Sequence, residues 1–424
     1  MITKLISFLS LLTVSSCANF INQIDDDLLT QKSIPYKKIA NKITYCKKEP
    51  NFTLISESKD SQKVFSKFIK DYKFNYADKV ALWTFVQMNL RPDLTGPNSN
   101  LQIFLKYNGR QDYYHFFSKE KKVSYPLFFG LEYILKQYHS RYSLLELAKL
   151  FDSKYPNRFL VSEAFATFLD TNIKEISLNK SLKRYFTRAD EPLREGERIY
   201  KQKLYPLIKL YYKSKKKTKY VKSDYLFEYK RNNLIKAKCN YDMSLYNSSI
   251  YLINDNFIKS NMFGMREKEN LFLSATTQSL KKLTSLQKSI YFQSEMTTES
   301  AAMCSFESQM NKDKSILLSS SDSRDPGQHL YHLIEYGLHE LNDIQKLDEV
   351  LKFSRHLFLK NPVRLILESE RSSEAQLEEL LKLNMPIYNS EKLGKVWGYL
   401  RVKKRQNFII DNRRIGGLSC NTSR

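Results

Sequence analysis

A polar stretch at residues 320–329 carries the side-chain types that bind anions. Its hydroxyl, carboxylate, guanidinium and amide groups belong to Ser320, Asp322, Arg324 and Gln328. Arginine binds a phosphate or a carboxylate through two parallel hydrogen bonds, and Arg324 could equally pair with Asp322 or Asp325. An apolar run at 315–320 leads into this stretch and predicts a strand. The pattern predicts an anion-binding loop at a strand-to-helix corner.

A second stretch of the same kind lies at residues 368–372. It offers Glu368 as an acceptor and Arg371 as a donor, with Glu370 as an alternative ion-pair partner for the arginine. In open α/β sheets, ligands bind outside the carboxyl ends of the strands. We therefore expect the two corners to lie side by side and to form one binding site.

Histidines near the first corner add a possible catalytic or metal-binding group. His329 and His332 are three residues apart, so they share one face of a predicted helix, and Glu335 or His339 could join them. Zinc uses three such ligands in catalytic sites, but the order matches no zinc motif. We predict histidines that face solvent or are hydrogen-bonded, with no metal and no cofactor. If the chain is an enzyme, His329 or His332 would act as nucleophile or base.

The elements around the second corner follow from local patterning. Alternating apolar residues predict a strand at 363–367, and Ser372 or Ser373 can cap a helix that buries its leucines. A further strand at 385–388 completes a strand–helix–strand unit, whose connection is expected to be right-handed. Two more strands are predicted at 399–402 and 407–410.

This order resembles the half-domain of the phospholipase D superfamily. That family carries His-x-Lys-x4-Asp and, after six further residues, Gly-Ser-x-x-Asn. With Asp411 as the anchor, Ser419 stands in its family place and Asn421 stands one position short of it. Lys404 and Gln406 replace the family's histidine and lysine.

The resemblance implies a module that binds but does not cleave. The family's histidine attacks phosphorus, whereas a lysine amine is protonated at neutral pH unless it is strongly desolvated. Lys404, Asp411, Ser419 and Asn421 would then hold a phosphate. A homodimer is expected, because the family's active site needs two motif copies. Two alternatives stay open: a phosphodiesterase or phospholipase that uses His329 or His332, and a purely structural protein.

The first 17 residues predict a targeting segment. Lys4 precedes an apolar stretch, and Val14-Ser-Ser-Cys17 resembles the signal of a bacterial lipoprotein, in which Cys17 is lipidated after cleavage. Ala18 follows it, which favours the outer membrane of a Gram-negative bacterium, with the body facing the periplasm. An ordinary secretory signal is the alternative.

The remaining four cysteines are Cys46, Cys239, Cys304 and Cys420. In an oxidising compartment an even number predicts two disulfides, and three pairings are possible.

The formal net charge is +24, and lysine supplies most of it. Such usage reflects either an AT-rich genome or an anionic partner. The densest basic run, residues 213–222, predicts an exposed linker, with contact to anionic lipid headgroups as the alternative. Behind a lipoprotein signal, no nucleic-acid partner is expected.

The patterns together predict an α+β or α/β protein. A helical N-terminal domain, with a capping box at Ser143 and Glu146 and a further helix start at Ser162, is followed by an α/β domain with a mixed sheet. The expected boundaries are a signal at 1–17, a tether at 18–56, the helical domain at 57–212, a basic linker at 213–225 and the α/β domain at 226–424.

Overall fold

A computed structural model shows a mixed α+β protein with two large antiparallel sheets. It describes residues 45–46, 51–118, 125–214, 220–223, 227–231, 235–239, 260–277, 280–286, 289–294, 304–311, 314–321, 329, 333, 343–360, 363–390, 393–402, 405–411, 413 and 417–419. The predicted α+β class is confirmed.

The first sheet has seven strands in the order β22-β1-β11-β12-β2-β3-β8, and every neighbouring pair is antiparallel. The strands are β1 (Phe52–Ser56), β2 (Asn100–Tyr107), β3 (Arg110–Ser118), β8 (Tyr220–Ser223), β11 (Asn261–Glu267), β12 (Asn270–Thr277) and β22 (Gly417–Leu418). Strands from the beginning, the middle and the end of the chain thus share one sheet.

The second sheet has six strands in the order β21-β20-β16-β15-β10-β9, again all antiparallel. They are β9 (Phe227–Arg231), β10 (Ile235–Cys239), β15 (Cys304–Asn311), β16 (Lys314–Ser321), β20 (Lys395–Val402) and β21 (Arg405–Ile410).

The two sheets pack face to face between layers of helices. An apolar cluster that includes Phe104, Leu273 and Trp397 fills the space between them. The outer face of the first sheet shares one apolar core with eight helices: α1 (Lys59–Phe68), α2 (Tyr76–Leu90), α3 (Pro126–Gln137), α4 (Leu144–Lys154), α5 (Glu163–Thr171), α6 (Ile173–Leu178), α7 (Lys180–Phe186) and α8 (Leu204–Ser214). On the outer face of the second sheet lies α9 (Ile344–Lys352). The architecture is a four-layer αββα sandwich.

The helix α2 forms the centre of the first helical layer. Its capping box joins Asn75 and Asp78, and nearly every side chain from Tyr76 to Leu90 is buried. A helix that is buried all round belongs inside a core rather than on its surface. It ends in the loop at residues 91–99, which connects it to β2.

Several predicted helix starts are confirmed at the residues that the sequence indicated. Ser143 and Glu146 form the capping box of α4, and Ser162 caps α5. Residues 100–118, by contrast, form β2 and β3 and are not helical. Because these strands join the same sheet as β11 and β12, that sheet combines both predicted domains. The predicted domain boundaries stay a prediction.

Smaller strand pairs complete the described fold. Two antiparallel pairs form within 158–200: β4 (Arg158–Leu160) with β7 (Arg198–Tyr200), and β5 (Thr187–Arg188) with β6 (Glu191–Pro192). A third pair is β13 (Leu280–Leu286) with β14 (Ser289–Ser294).

The predicted strand–helix–strand unit near the C-terminus is present. It consists of β18 (Val363–Leu367), α10 (Glu374–Leu381), which Ser373 caps, and β19 (Ile387–Asn389), which is parallel to β18. With β17 (His356–Lys360) these strands form a separate three-stranded sheet, whereas β20 and β21 belong to the second large sheet. The single α/β half-domain expected for this region is therefore wrong.

Candidate active site

The relative direction of β11 and β20 shows which strand ends lie together. A Cβ atom built on Gly264 of β11 would lie 3.0 Å from the ring of Trp397 on β20. Further along β11, Nε of Arg266 donates to Oε1 of Gln406 at 3.3 Å. Gln406 belongs to β21 and lies directly opposite Arg401 of β20 in the strand register. Strands β11 and β20 thus run in the same direction across the gap. The start of β11 lies at the same end of the sandwich as the start of β20.

Ser260 is the residue immediately before β11 at this end. Side chains alternate between the two faces of a strand. On β11, Met262 and Gly264 face the second sheet. Phe263 and Met265 face the helices. Ser260 therefore lies on the face between the sheets. It is only 4% exposed. A primary hydroxyl thus lies at the beginning of a central strand, inside the sandwich.

Uncharged polar side chains surround the next residue. The amide nitrogen of Asn261 donates to the hydroxyl of Thr95 at 2.8 Å, and the Thr95 and Thr276 hydroxyls are 2.7 Å apart. All of them are buried. We call Thr95, Asn261 and Thr276, together with the adjacent Ser260 on the opposite face of β11, the hydroxyl–amide cluster. Its bonds connect the start of β11, the end of β12 and the 91–99 loop.

A buried ion network holds the 91–99 loop in place. Arg91 donates two hydrogen bonds to Asp93, at 2.9 and 2.7 Å, and a third to Glu57 at 2.6 Å. Ser162 also donates to Glu57, at 3.2 Å. The loop beside Asn261 is thereby tied to the end of β1 and to the start of α5.

His115 is the histidine of β3 on the same inner face. It pairs with Gln102 of β2 and is buried. Burial lowers the pKa of His115 from 6.5 to about 3. The imidazole is therefore neutral at physiological pH and is a poor proton acceptor.

Two residues selected from the sequence, Glu368 and Asp411, lie in one buried ion network with Arg355 and Arg413. Arg413 pairs with both carboxylates, and Arg355 lies 2.7 Å from Asp411. The backbone N–H groups of Arg355 and Leu393 also donate to Glu368, at 2.9 and 2.5 Å. We call Arg355, Glu368, Asp411 and Arg413 the charge cluster.

The charge cluster neutralises itself. Burial alone would raise the pKa of Asp411, but the charges of Arg355 and Arg413 outweigh it and lower that pKa from 3.8 to about 2. For Arg413, burial would lower the pKa, but Asp411 and Glu368 raise it overall. Two arginines face two carboxylates whose hydrogen-bonding capacity is used within the protein. The cluster therefore joins β20, the small sheet and α9, and it offers no charge to a ligand.

The remaining predicted site residues fall into two groups. Ser320 is fully buried at the end of β16, His329 is buried in the helical layer, and Arg371 lies in a short 3₁₀ turn. Ser419 accepts a hydrogen bond from the backbone of Leu54, so it fastens the C-terminal segment to β1. The other predicted residues lie outside the described residues: Asp322, Arg324, Gln328, His332, Lys404 and Asn421. Their roles stay predictions.

The cysteine predictions can be compared with the structure at three positions. Cys46 is buried and disulfide-bonded, while Cys239 and Cys304 are directly opposite each other on β10 and β15. Cys420 and the predicted lipidation site Cys17 lie outside the described residues. The disulfide pairing and the lipid anchor stay predictions.

Within the described ranges, no group of histidine, cysteine and acidic side chains could hold a metal ion. Nor is any helix there long and apolar enough to cross a bilayer.

Ser260 did not stand out in the sequence, where it is one serine among many. What distinguishes it is its position directly before β11, a strand that was not predicted from the sequence. That position becomes informative only once the sheet order places β11 at the centre of the first sheet.

Comparison with known proteins rests on structure alone. No family model and no curated protein matches the sequence. Two solved structures of LmbA2991 match with TM-scores of 0.61 and 0.60 at 7% identity. The first match covers 93% of this chain and 100% of that one, and the second covers 89% and 99%.

A crystal structure of cephalosporin acylase from Bacillus halodurans matches with a TM-score of 0.58 at 8% identity, covering 91% of this chain and 97% of that one. These likenesses extend over nearly the whole chain and overturn the predicted phospholipase D-like, non-catalytic module. The phosphodiesterase and structural alternatives are not favoured either. The fold resembles that of LmbA2991 and of this cephalosporin acylase, and not that of phospholipase D.

Proposed function

We propose that the protein is an amide hydrolase whose nucleophile is Ser260, exposed as a new N-terminus by cleavage of the Lys259–Ser260 peptide bond. The observation that carries this proposal is the position of Ser260. It directly precedes the central strand β11, it is buried, and it faces the second sheet.

The fold likeness supports this class of reaction. The solved structure from Bacillus halodurans is that of a cephalosporin acylase, and its chain is covered almost completely. In an N-terminal-nucleophile enzyme the hydroxyl is activated by the α-amine of its own residue, so no separate histidine base is needed. A neutral, weakly basic His115 is compatible with such a site.

Cleavage needs no additional reagent except water. The Ser260 hydroxyl attacks the carbonyl carbon of Lys259, the C–N bond breaks, and the acyl group moves from nitrogen to oxygen. Water then hydrolyses this ester and leaves the Lys259 carboxylate and a free Ser260 α-amine. An α-amino group has a pKa of about 7.7–8.0, so about 10–17% of it is unprotonated at pH 7, enough to act as a base.

Turnover repeats this chemistry on an external amide. The α-amine accepts the proton of the Ser260 hydroxyl while the oxygen attacks the substrate carbonyl. The amine half of the substrate then leaves with that proton, and an ester to Ser260 remains. Water hydrolyses the ester and releases the acid.

The neighbouring residues have positioning roles in this proposal. Asn261 fixes the start of β11 through its bond to Thr95, and the Arg91–Asp93–Glu57 network holds the loop that carries Thr95. Since a misplacement of about 1 Å can cost a hundredfold in rate, these bonds matter for the reaction without touching the substrate.

Cleavage of the purified full-length chain tests the proposal. We expect intact mass and N-terminal sequencing to show a fragment that begins at Ser260. Ser260→Ala should remain a single chain, while Ser260→Thr should still be cleaved because it keeps a hydroxyl. Ser274→Ala is the matched control: it removes a buried hydroxyl on β12 that donates to the backbone of Gln102, and it should be cleaved normally.

Turnover is then measured on chromogenic anilides with short aliphatic, aromatic and dicarboxylic acyl groups. Wild type should release the aniline, and mass spectrometry after rapid quenching should locate the acyl group on Ser260. A wild-type chain that stays intact and is never acylated at Ser260 would refute the proposal.

A further inference from the structure

A cleft of about 490 Å³ lies beside the β4–β7 pair. Its lining consists of Arg158, Arg188, Gly196, Glu197, Arg198, Ile199 and Tyr200. Three guanidinium groups and one carboxylate thus face a single space. We call it the arginine cleft.

The strand register places two of these arginines on one face. Arg158 of β4 is directly opposite Tyr200 of β7, and Arg198 lies two residues before Tyr200. Opposite residues, and residues two apart, share a face, so Arg158 and Arg198 are diagonal neighbours with Cα atoms about 7–8 Å apart. The other face of the pair is apolar, with Phe159 and Ile199 buried in the core.

The single carboxylate of the cleft, that of Glu197, is already bound to other groups of the protein. Glu197 pairs with Arg188 at 2.8 Å, and its second oxygen accepts from the backbone N–H of Arg194 at 2.7 Å. Neither Arg158 nor Arg198 has a carboxylate partner among the described residues. Two uncompensated positive charges therefore repel each other across the cleft.

The ring of Tyr200 gives the cleft a rigid wall. The guanidinium of Arg158 lies over this ring, 5.4 Å from its centroid, and the ring is 60% exposed. Stacking limits the freedom of the arginine, so less conformational entropy is lost when its N–H groups bind a ligand.

We propose that the arginine cleft binds a small multivalent oxyanion, bridging Arg158 and Arg198. A planar guanidinium matches two oxygens of a carboxylate or of a phosphate. A ligand with two or more such groups would neutralise both arginines at the spacing expected for diagonal neighbours. The site is separate from Ser260 and does not depend on the proposed hydrolase activity.

Calorimetry with the full-length protein tests this, with inorganic pyrophosphate and tricarballylate as probes and acetate as a monovalent comparison. We expect saturable binding of at least one multivalent probe and much weaker binding of acetate. Stronger binding of pyrophosphate would identify phosphate chemistry, and stronger binding of tricarballylate would identify carboxylate chemistry. Either result supports the proposal.

Arg158→Ala and Arg198→Ala should each weaken binding about tenfold or more, because each removes a charge-assisted hydrogen bond. Arg184→Ala removes the same charge from an exposed position of α7 outside the cleft and should leave binding within about twofold. Circular dichroism verifies that each variant is folded. Equal binding by Arg198→Ala and Arg184→Ala would overturn the proposal, and so would no binding of either multivalent probe by the wild type.

Discussion

The charge cluster and the hydroxyl–amide cluster lie at the same end of the sandwich, and both are buried. Asp411 bonds to the backbone of Val396 at the start of β20, and Ser260 lies at the start of β11. In the charge cluster, two arginines and two carboxylates neutralise one another. In the hydroxyl–amide cluster, every side chain is uncharged.

The charge cluster therefore contributes to the stability of the fold, whereas the hydroxyl–amide cluster contributes to the proposed chemistry. A buried ion network whose groups satisfy one another holds elements together, and removal of one member leaves an uncompensated charge. A buried hydroxyl at the first residue of a strand contributes little to stability, yet it is a nucleophile once a base lies beside it. Substitutions in the charge cluster should therefore lower the free energy of unfolding and leave cleavage intact. A substitution of Ser260 should abolish cleavage and leave the free energy of unfolding nearly unchanged.

The largest expected effect is on cleavage by Ser260→Ala. Loss of the nucleophile should abolish cleavage and turnover, while the chain still unfolds in one cooperative transition. The free energy of unfolding of Ser260→Ala should differ by no more than about 1 kcal/mol from that of any other variant whose chain stays uncleaved, since only one hydroxyl is removed. Gel electrophoresis and urea titration followed by circular dichroism measure both effects. Loss of folding together with loss of cleavage would show that Ser260 is structural.

Arg413→Met should produce the opposite pattern. Glu368 and Asp411 would stay buried without Arg413, which typically costs about 3–5 kcal/mol. The substitution is made in the Ser260→Ala background, so that both chains are uncleaved, and urea titration gives the difference. In the wild-type background, the fraction that remains folded should still be cleaved.

The control for Arg413→Met is Lys382→Ala, which removes one partner of an exposed pair with Glu379. Exposed pairs contribute little, so its effect should stay within about 0.5 kcal/mol. If Arg413→Met has an equally small effect, the charge cluster does not hold the small sheet to β20.

Acid should destabilise the protein through Asp411. Its pKa is about 2 in the folded state against an ordinary 3.8, so the carboxylate stabilises the fold fully above about pH 4. That stabilisation, about 2 kcal/mol for such a shift, is lost as the pH falls through 2. Urea titrations between pH 5 and pH 2 measure the slope. Asp411→Asn should flatten this part of the profile, and an unchanged slope would contradict the assignment.

Local structure was largely predictable because its signals are local. Capping by Ser143, Ser162 and Ser373 depends on residues within one helical turn, and all three caps are present. The strand at 315–320 also appears, as part of β16. Sheet membership was not predictable, because β1, β2 and β11 are brought together by pairings between residues far apart in the chain.

The candidate site escaped prediction for a related reason. Charged residues such as Glu368 and Asp411 were predicted from the sequence to bind a ligand. In the fold, the charges of Arg355 and Arg413 compensate them. Ser260 carries no charge and no motif. Only the order of the strands and the alternation of side chains on β11 place its hydroxyl between the sheets.

The smallest expected effect tests how finely Ser260 is positioned. Thr276→Val removes the hydroxyl that bonds to Thr95, while Asn261 keeps its bond to Thr95. The free energy of unfolding should fall by about 1 kcal/mol, and cleavage should slow by less than tenfold. Thr84→Val is the matched control, because it removes a buried hydroxyl that bonds within α2 at the backbone oxygen of Val80.

Both threonine variants should lose similar stability, but only Thr276→Val should slow cleavage, as followed by the appearance of the fragment that begins at Ser260. Equal cleavage rates would mean that the bond between β12 and the 91–99 loop does not orient Ser260. Positioning would then rest on the Arg91–Asp93–Glu57 network, since it holds the same loop from its other end.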